Sequence, residues 1–469
     1  MNNKKRDHKR KNKKIRVLLG ILLVELVILT IIFGSYSIYV YLQKGGSVPG
    51  LQTDLMDESS KKMSQKELEI KQEQERLQKE YEEMKQLVAE ADLLALGHDY
   101  DGAIELIKGF KGSAGGYELY TYLLETVKRL EKEKSSLVAF GGEYASVFEI
   151  SHLYFNPLIA DVNKAFDGDG DSKSYNMYNI TVNEFKAILQ SLYDQGYVLI
   201  RLSDIATVQV NEDGTSKYVP AKIYLRKGKK PIIISENDLS YHKYMLDDGF
   251  ASRLVLDEEG NVLCQMQQPD GSVVTGAYDI VPIINEFVKE HPDFSYKGAK
   301  GVLTLTGYDG IFGYRTNDPD SPSYEEDKEA VRQIAQALRE DGWEFACHSW
   351  GYKDMKAADL ELLKKDTQRW QKEVGSLIGP TDIYAFPFGN DIESASGTYK
   401  SEKYKFLKSS GFNFFLGVYK EPWLHVKNNY VRMTRRPVDG QALLEFPERL
   451  ADLFAVEEII DPRRPAKDW

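Results

Sequence analysis

The chain has 469 residues with 61 Lys+Arg against 72 Asp+Glu, a formal charge of -11, and is too long for one ordinary core. Nine Lys/Arg and one acid within residues 1–16 give that tip about +8 and leave about -19 on the remainder, which excludes a nucleic-acid-coating body, because such binding depends on neutralised phosphates. Cys264 and Cys347, the two cysteines, exclude a disulfide scaffold and a four-cysteine zinc site.

Behind the cytoplasmic basic tail 1–16, Val17 to Leu42 reads VLLGILLVELVILTIIFGSYSIYVYL, with Glu25 its single formal charge. About 20 apolar residues span a bilayer as a helix. The flanking Lys/Arg place the N-terminus in the cytoplasm, and the tyrosines at 36, 39 and 41 suit the opposite interface. The expectation is a single-pass signal anchor (17–42) in the cell membrane, with the bulk of the chain extracellular; the competing reading is a cleaved signal peptide. Residues 57–92 mix Lys, Glu, Gln and Leu without Pro or Gly, which predicts a helical or coiled-coil stalk offering a route to self-association. Residues 93–135 read as a tetratricopeptide-like helical hairpin. One such unit buries its own face poorly, and His98 in its turn is expected to be exposed and inert.

From 140 to 460 short apolar runs alternate with amphipathic helices. The runs fall at 146–150, 197–201, 231–235, 301–306, 343–347, 382–386, 413–418 and 430–433, and the helices at 181–195, 279–290, 324–340, 356–377 and 400–410. This rhythm predicts an α/β fold, a distorted (β/α) barrel of seven to eight repeats, preceded by the transmembrane helix and the α-helical stalk. Residues 250–278, with EEGN and PDGS turns, read as an inserted β-meander able to overhang a site. In such barrels chemistry gathers at the carboxyl ends of the strands. The segments to inspect are therefore Glu236-Asn237-Asp238, Gly307-Tyr308-Asp309, His348 to Tyr352, and PFGND after 386.

Several of these segments resemble the polysaccharide deacetylases of carbohydrate esterase family four. The resemblance covers about 145–455 and rests on TVNEFKAILQSLYDQGYVLI, the strand ending in acids, W-x-F-A-x-H-S, FPFG and YVRM, in that order. It is strongest to membrane-anchored bacterial members carrying the SENDLSYHKYM…DGFASRLVLDEEGNV type of insert. The resemblance implies a divalent metal, zinc first, held by an Asp and two His. It also implies a carboxylate base beside the metal Asp, and an acetylated cell-surface or peptidoglycan-type polysaccharide as substrate. Carried across residue by residue, Asp238 falls on the metal Asp and His348 on the first ligand His. Asn237 replaces the base and Tyr352 the second His. Ser349 fits the small hydroxyl position after His348; by their own chemistry Trp350 and Phe388, as stacking faces for a sugar, and Arg432 join Ser349 as candidate substrate-binding residues. An amide has no useful basicity, and a phenol with a pKa near 10 is a poor zinc ligand. Two readings stay open. One is an extracytoplasmic hydrolase removing N- or O-acetyl groups, a carbon–nitrogen hydrolase other than a peptidase in the first case. The other is a metal-free pseudoenzyme that binds glycan or a partner protein. Other rim groups, His242, Asp309, Asp354 and Asp391, are alternatives for completing a site; Arg432, Arg435 and Arg436 orient a substrate carboxylate or pair with nearby acids.

Overall fold

The alternation along the short apolar runs has a direct structural outcome. In the computed structural model, which describes residues 53–141, 150–268, 270–419, 422–467 and 469, seven parallel strands close into a barrel. They are β1 (Ser151–Phe155), β2 (Lys230–Glu236), β3 (Val302–Leu305), β4 (Glu344–Cys347), β5 (Ile383–Ala385), β6 (Phe414–Val418) and β7 (Tyr430–Pro437). Each strand pairs with the next, and closure comes from Arg436 of β7 opposite Leu153 of β1. Ile233, Val302, Ala346, Ile383, Leu416, Val431 and Met433 fill the interior. Their alternate neighbours Ile232, Ile234, Leu303, Phe345, Cys347, Tyr384 and Phe415 face an outer helical layer, as the period of two requires. That layer comprises α4 to α8, numbered after the three helices of the N-terminal region described below: α4 (Val182–Asp194), α5 (Ile280–Glu290), α6 (Tyr324–Glu340), α7 (Leu360–Trp370) and α8 (Glu402–Ser409).

The ring holds seven strands. The run at 146–149 lies outside the described residues, and Ser151–Phe155 supplies the first barrel strand. Tyr197–Leu199 pairs with the first half of β2, but β3 takes the same edge of β2 from Ser235 onward, so this short strand stays outside the ring. The insert is a three-stranded antiparallel sheet, Arg253–Leu256, Val262–Gln267 and Val273–Gly276. It packs on α5 and α6 and contributes no lining to the cleft described below.

The chain divides into two compact units, Met1–Glu83 and Met84–Trp469. In the first, the described residues are those of α1 (Thr53–Leu96) up to Glu83. Its surface carries Lys71–Glu75, Arg76–Glu73 and Lys79–Glu83 pairs at helical spacing, each worth a few tenths of a kcal/mol. In the second, the end of α1 packs Val88, Ala91 and Ala95 against α2 (Tyr100–Lys108) and α3 (Thr121–Lys134). This hairpin is docked on the barrel. Arg226 donates to Ala95 O at 3.2 Å and to Tyr100 Oη, and the Lys297 N–H donates to Gly97 O at 2.7 Å. His98, expected to be exposed, is instead buried beneath this junction, with Nε2 3.2 Å from Asp293 O. Burial holds its pKa down at about 4, so it stays neutral. The segment 17–42 lies outside the described residues, and no helix among the described residues is long and apolar enough to cross a membrane.

Gly342 leads into β4 with φ +100°, and a methyl group there would overlap the Gly298 carbonyl oxygen. Gly342→Ala should therefore destabilise the barrel by about 2–3 kcal/mol, read as a lowered urea midpoint.

Candidate functional site

The carboxyl ends of the barrel strands open into a cavity of about 750 Å3. Tyr154 and Asn156 enter from β1, Asn237 and Asp238 from β2, Tyr308 from β3, Tyr352 from β4, Phe388 and Gly389 from β5, Val418 from β6, and Arg435 from β7. Tyr175, Tyr178 and Tyr244 complete an aromatic wall. Backbone strain concentrates here. Asp238, Tyr241, Ser349, Tyr352 and Phe388 all have φ between +47° and +61°, a region that costs a non-glycine residue about 1 kcal/mol or more and recurs at functional sites.

Asp238 is held from every side. Its Oδ1 accepts from Thr306 Oγ1 at 2.5 Å and Ser240 Oγ at 2.8 Å, and its N–H donates to Thr304 Oγ1 at 3.0 Å. Its Oδ2 lies 3.1 Å from His242 Nε2, whose Nδ1 lies 3.0 Å from Asp309 Oδ2. Arg315 stands 3.5 Å behind Asp309. Burial disfavours the imidazolium, but hydrogen bonds and charge from the two carboxylates outweigh it and push His242 up to about 9. With both ring nitrogens donating, His242 is a cation bridging two anions. Burial likewise pushes Asp238 up, yet His242 and Thr306 hold its carboxyl below the usual range.

His348 is fully buried at the end of β4. Its Nδ1 donates to Ala385 O at 2.8 Å, which fixes the tautomer and leaves Nε2 as a lone pair without a partner. Burial, then the neighbouring Arg435 cation, hold His348 down at about 4. Tyr352 packs edge-on to His348 at 5.2 Å and to Phe388 at 4.7 Å. Burial and the Asp238 charge push its phenol up to about 12, so it holds its proton. Asn237 accepts at Oδ1 from Arg435 Nη1 at 2.6 Å.

This donor set does not fit a hydrolytic zinc centre. Asp238 and His348 supply two protein ligands, Tyr352 offers a phenol where a second imidazole would be needed, and His242 has both nitrogens committed to Asp238 and Asp309. Such a centre takes three protein ligands and leaves a water position. Among the described residues, the one triple of His, Cys, Asp or Glu ligand atoms lying within 4.8 Å of one another is Asp169, Asp171 and Asp248, not a group containing Asp238 or His348.

The remaining sequence-selected residues divide sharply. Phe388 stands exposed on the rim. Ser349 is buried and accepts from the Lys353 N–H at 3.0 Å. Trp350 does not line the cavity; its ring stacks 3.3 Å from the Arg369 guanidinium. Arg432 is also remote, its side chain fully buried against Asp391 at 2.6 Å. Asp354 accepts from Asn390 Nδ2 at 2.9 Å. Glu236 faces the helix layer, where burial and then the nearby Asp279 push its carboxyl well up. Sequence reasoning named Arg435 without separating it from its neighbours. The separating signal is the period of two from Val431 and Met433, both interior, which puts Arg435 on the same face. Asp439, at the cavity edge, was not singled out; burial pushes it up to about 6.

Comparison with family models finds no match, and neither does comparison with curated proteins. Among solved structures, the chain is similar to the Streptococcus pyogenes deacetylase PplD in complex with acetate. That similarity has 10% identity and a TM-score of 0.34, covering 65% of this chain and 97% of the other. It is also similar to a structure assigned as a polysaccharide deacetylase from Mycobacterium smegmatis, with 18% identity and a TM-score of 0.22, covering 34% and 45% of the two chains.

Proposed function

We propose that the protein is a membrane-anchored, outward-facing glycan-binding protein built on a deacetylase-type barrel, a pseudoenzyme that holds an acetylated cell-surface or peptidoglycan-type polysaccharide without metal-dependent hydrolysis. The observation that carries the glycan reading is the aromatic wall. Tyr178, Tyr244, Tyr308 and Phe388 stand 49%, 62%, 37% and 60% exposed around one cavity. Exposed aromatic faces gathered at a cleft are the usual platform for an amphipathic ligand such as a sugar ring, with polar groups between them for orientation. The lack of hydrolysis is supported by the donor set at Asp238, His348, Asn237 and Tyr352. Anchoring is supported by the apolar stretch 17–42 behind nine Lys/Arg, and self-association by Met63, Ile70 and Leu77, exposed along α1 at seven-residue intervals. A second reading, metal-assisted removal of acetyl groups with zinc the first candidate, is favoured by one observation, the unpartnered Nε2 of His348.

The two readings separate when purified full-length chain is assayed for zinc content, acetate release and binding on N-acetylated oligosaccharides and peptidoglycan fragments. Saturable binding without acetate and without stoichiometric zinc is the expected result. Stoichiometric zinc with acetate release that disappears in Asp238→Ala would establish the hydrolase instead.

A further inference from the structure

We propose that Arg435 makes the cleft selective for an acidic glycan, receiving a sugar carboxylate at the cavity floor. The inference rests on the glycan-binding reading and names the substrate class of that same site. Three arginines on β7 provide an internal comparison. Arg432 meets Asp391 at 2.6 Å and Arg436 meets Asp452 at 2.6 Å. Arg435, as inaccessible as Arg432, has no carboxylate partner among the described residues; its hydrogen bond goes to a neutral amide, Asn237 Oδ1, and its Nε has no partner. Its guanidinium lies 4.8 Å from the centre of the Tyr154 ring and forms part of the cavity lining.

Taking a cation out of water costs several kcal/mol unless an anion or full hydrogen bonding replaces the solvent. Here the groups around it do not supply an anion. Its ring neighbour is Tyr154, its hydrogen-bond acceptor is the Asn237 amide oxygen, and among the described residues no carboxylate oxygen lies within ion-pair distance of it. The position beside it that would hold a carboxylate base in a deacetylase is Asn237. The cavity therefore ends in one uncompensated positive charge with free donor capacity, the complement of a planar carboxylate. A phosphate or sulfate ester is disfavoured as the anion. A phosphate monoester carries a second negative charge that one cation serves poorly while Asp171, Asp238 and Asp439 border the cavity. A singly charged sulfate ester differs from a carboxylate in shape, being tetrahedral where the guanidinium fork matches a planar group.

The test compares an oligosaccharide containing N-acetylated and uronic acid residues with the same oligosaccharide after reduction of its carboxyl groups to alcohols. Both are bound to full-length wild type, Arg435→Met and Arg435→Lys. Wild type should prefer the acidic form by about 10- to 100-fold, in line with a hydrogen-bonded charge pair. Arg435→Met should abolish the preference, and Arg435→Lys should retain part of it. Arg435→Met should also melt no lower than wild type, because it removes an unpaired buried charge; a merely structural arginine would lower the melting temperature and leave the acid-to-neutral ratio unchanged. Equal affinity for both forms in wild type, or a preference that survives Arg435→Met, overturns the proposal while leaving glycan binding intact. Binding of neither form removes the glycan reading and this inference together.

Discussion

Arg464→Ala should destabilise the barrel unit by about 3–5 kcal/mol, the cost of leaving a buried charge without its partner. Arg464 Nε and Nη2 donate to Glu184 Oε1 and Oε2, both at 2.6 Å, with both side chains fully buried. The same guanidinium donates to Asn176 O and Oδ1 and to Asn179 O, at 2.8–2.9 Å. Glu184 is already the reciprocal member of the capping box that starts α4, accepting from the Thr181 N–H at 2.8 Å, and it accepts from the Asp461 N–H as well. Removing the arginine therefore strands a carboxylate whose backbone donors alone do not replace a bidentate cation. Glu184→Gln in the Arg464→Ala background should recover part of the loss, because the stranded charge goes with it, so the two substitutions should be strongly non-additive. Urea unfolding of the four variants checks both statements. A loss under 1 kcal/mol for Arg464→Ala would mean that Glu184 is solvated after all. The effect extends to the cleft, because the carbonyls held by Arg464 flank Tyr175 and Tyr178 of its aromatic wall.

The elements written in the plainest periodicity were the ones legible in the sequence. TVNEFKAILQSLYDQ states its helix through the Thr181–Glu184 cap and an apolar stripe, and the structure starts α4 at Val182. Strand alternation predicted the barrel, and the same period of two turns Asn237 into the cavity and Glu236 away from it. Other features depended on tertiary pairing that no local window contains. The strand at Tyr197 stays outside the ring because β3 competes for its edge of β2. His98 reads as a turn histidine until the hairpin docks on the barrel. Arg432 and Trp350 lie beside site positions in sequence but point into packing. The His242 bridge needs the positive-φ turn at Asp238 and a loop that begins 70 residues later; four-residue spacing alone does not reveal that both of its nitrogens are taken.

That bridge sets the second large effect. His242 has its pKa raised from 6.5 to about 9, so its contribution to stability is full below about pH 6.5 and is lost as pH rises through about 9. A shift of this size corresponds to about 3 kcal/mol. Asp238 and Asp309 have lowered pKa values, through the hydrogen bonds and charge of their partners working against burial. Their contribution is present above the ordinary carboxylate pKa of about 4 and is lost as pH falls through their lower folded values. The bridge is therefore strongest between about pH 4 and 6.5. Wild-type stability should fall between pH 6.5 and 9, and Asp238→Asn should remove most of that slope and return His242 towards 6.5, as read by urea unfolding at the two pH values and by NMR titration of the imidazole. An unchanged slope in Asp238→Asn would show that the Asp238–His242 pair is not its source. The same pairing bears on metal binding. A divalent cation reaching Asp238 Oδ2 must displace the imidazolium that already neutralises it, and the further the pH lies below about 9 the more completely that imidazolium is formed. A histidine four residues along the chain thus already supplies the positive charge beside Asp238.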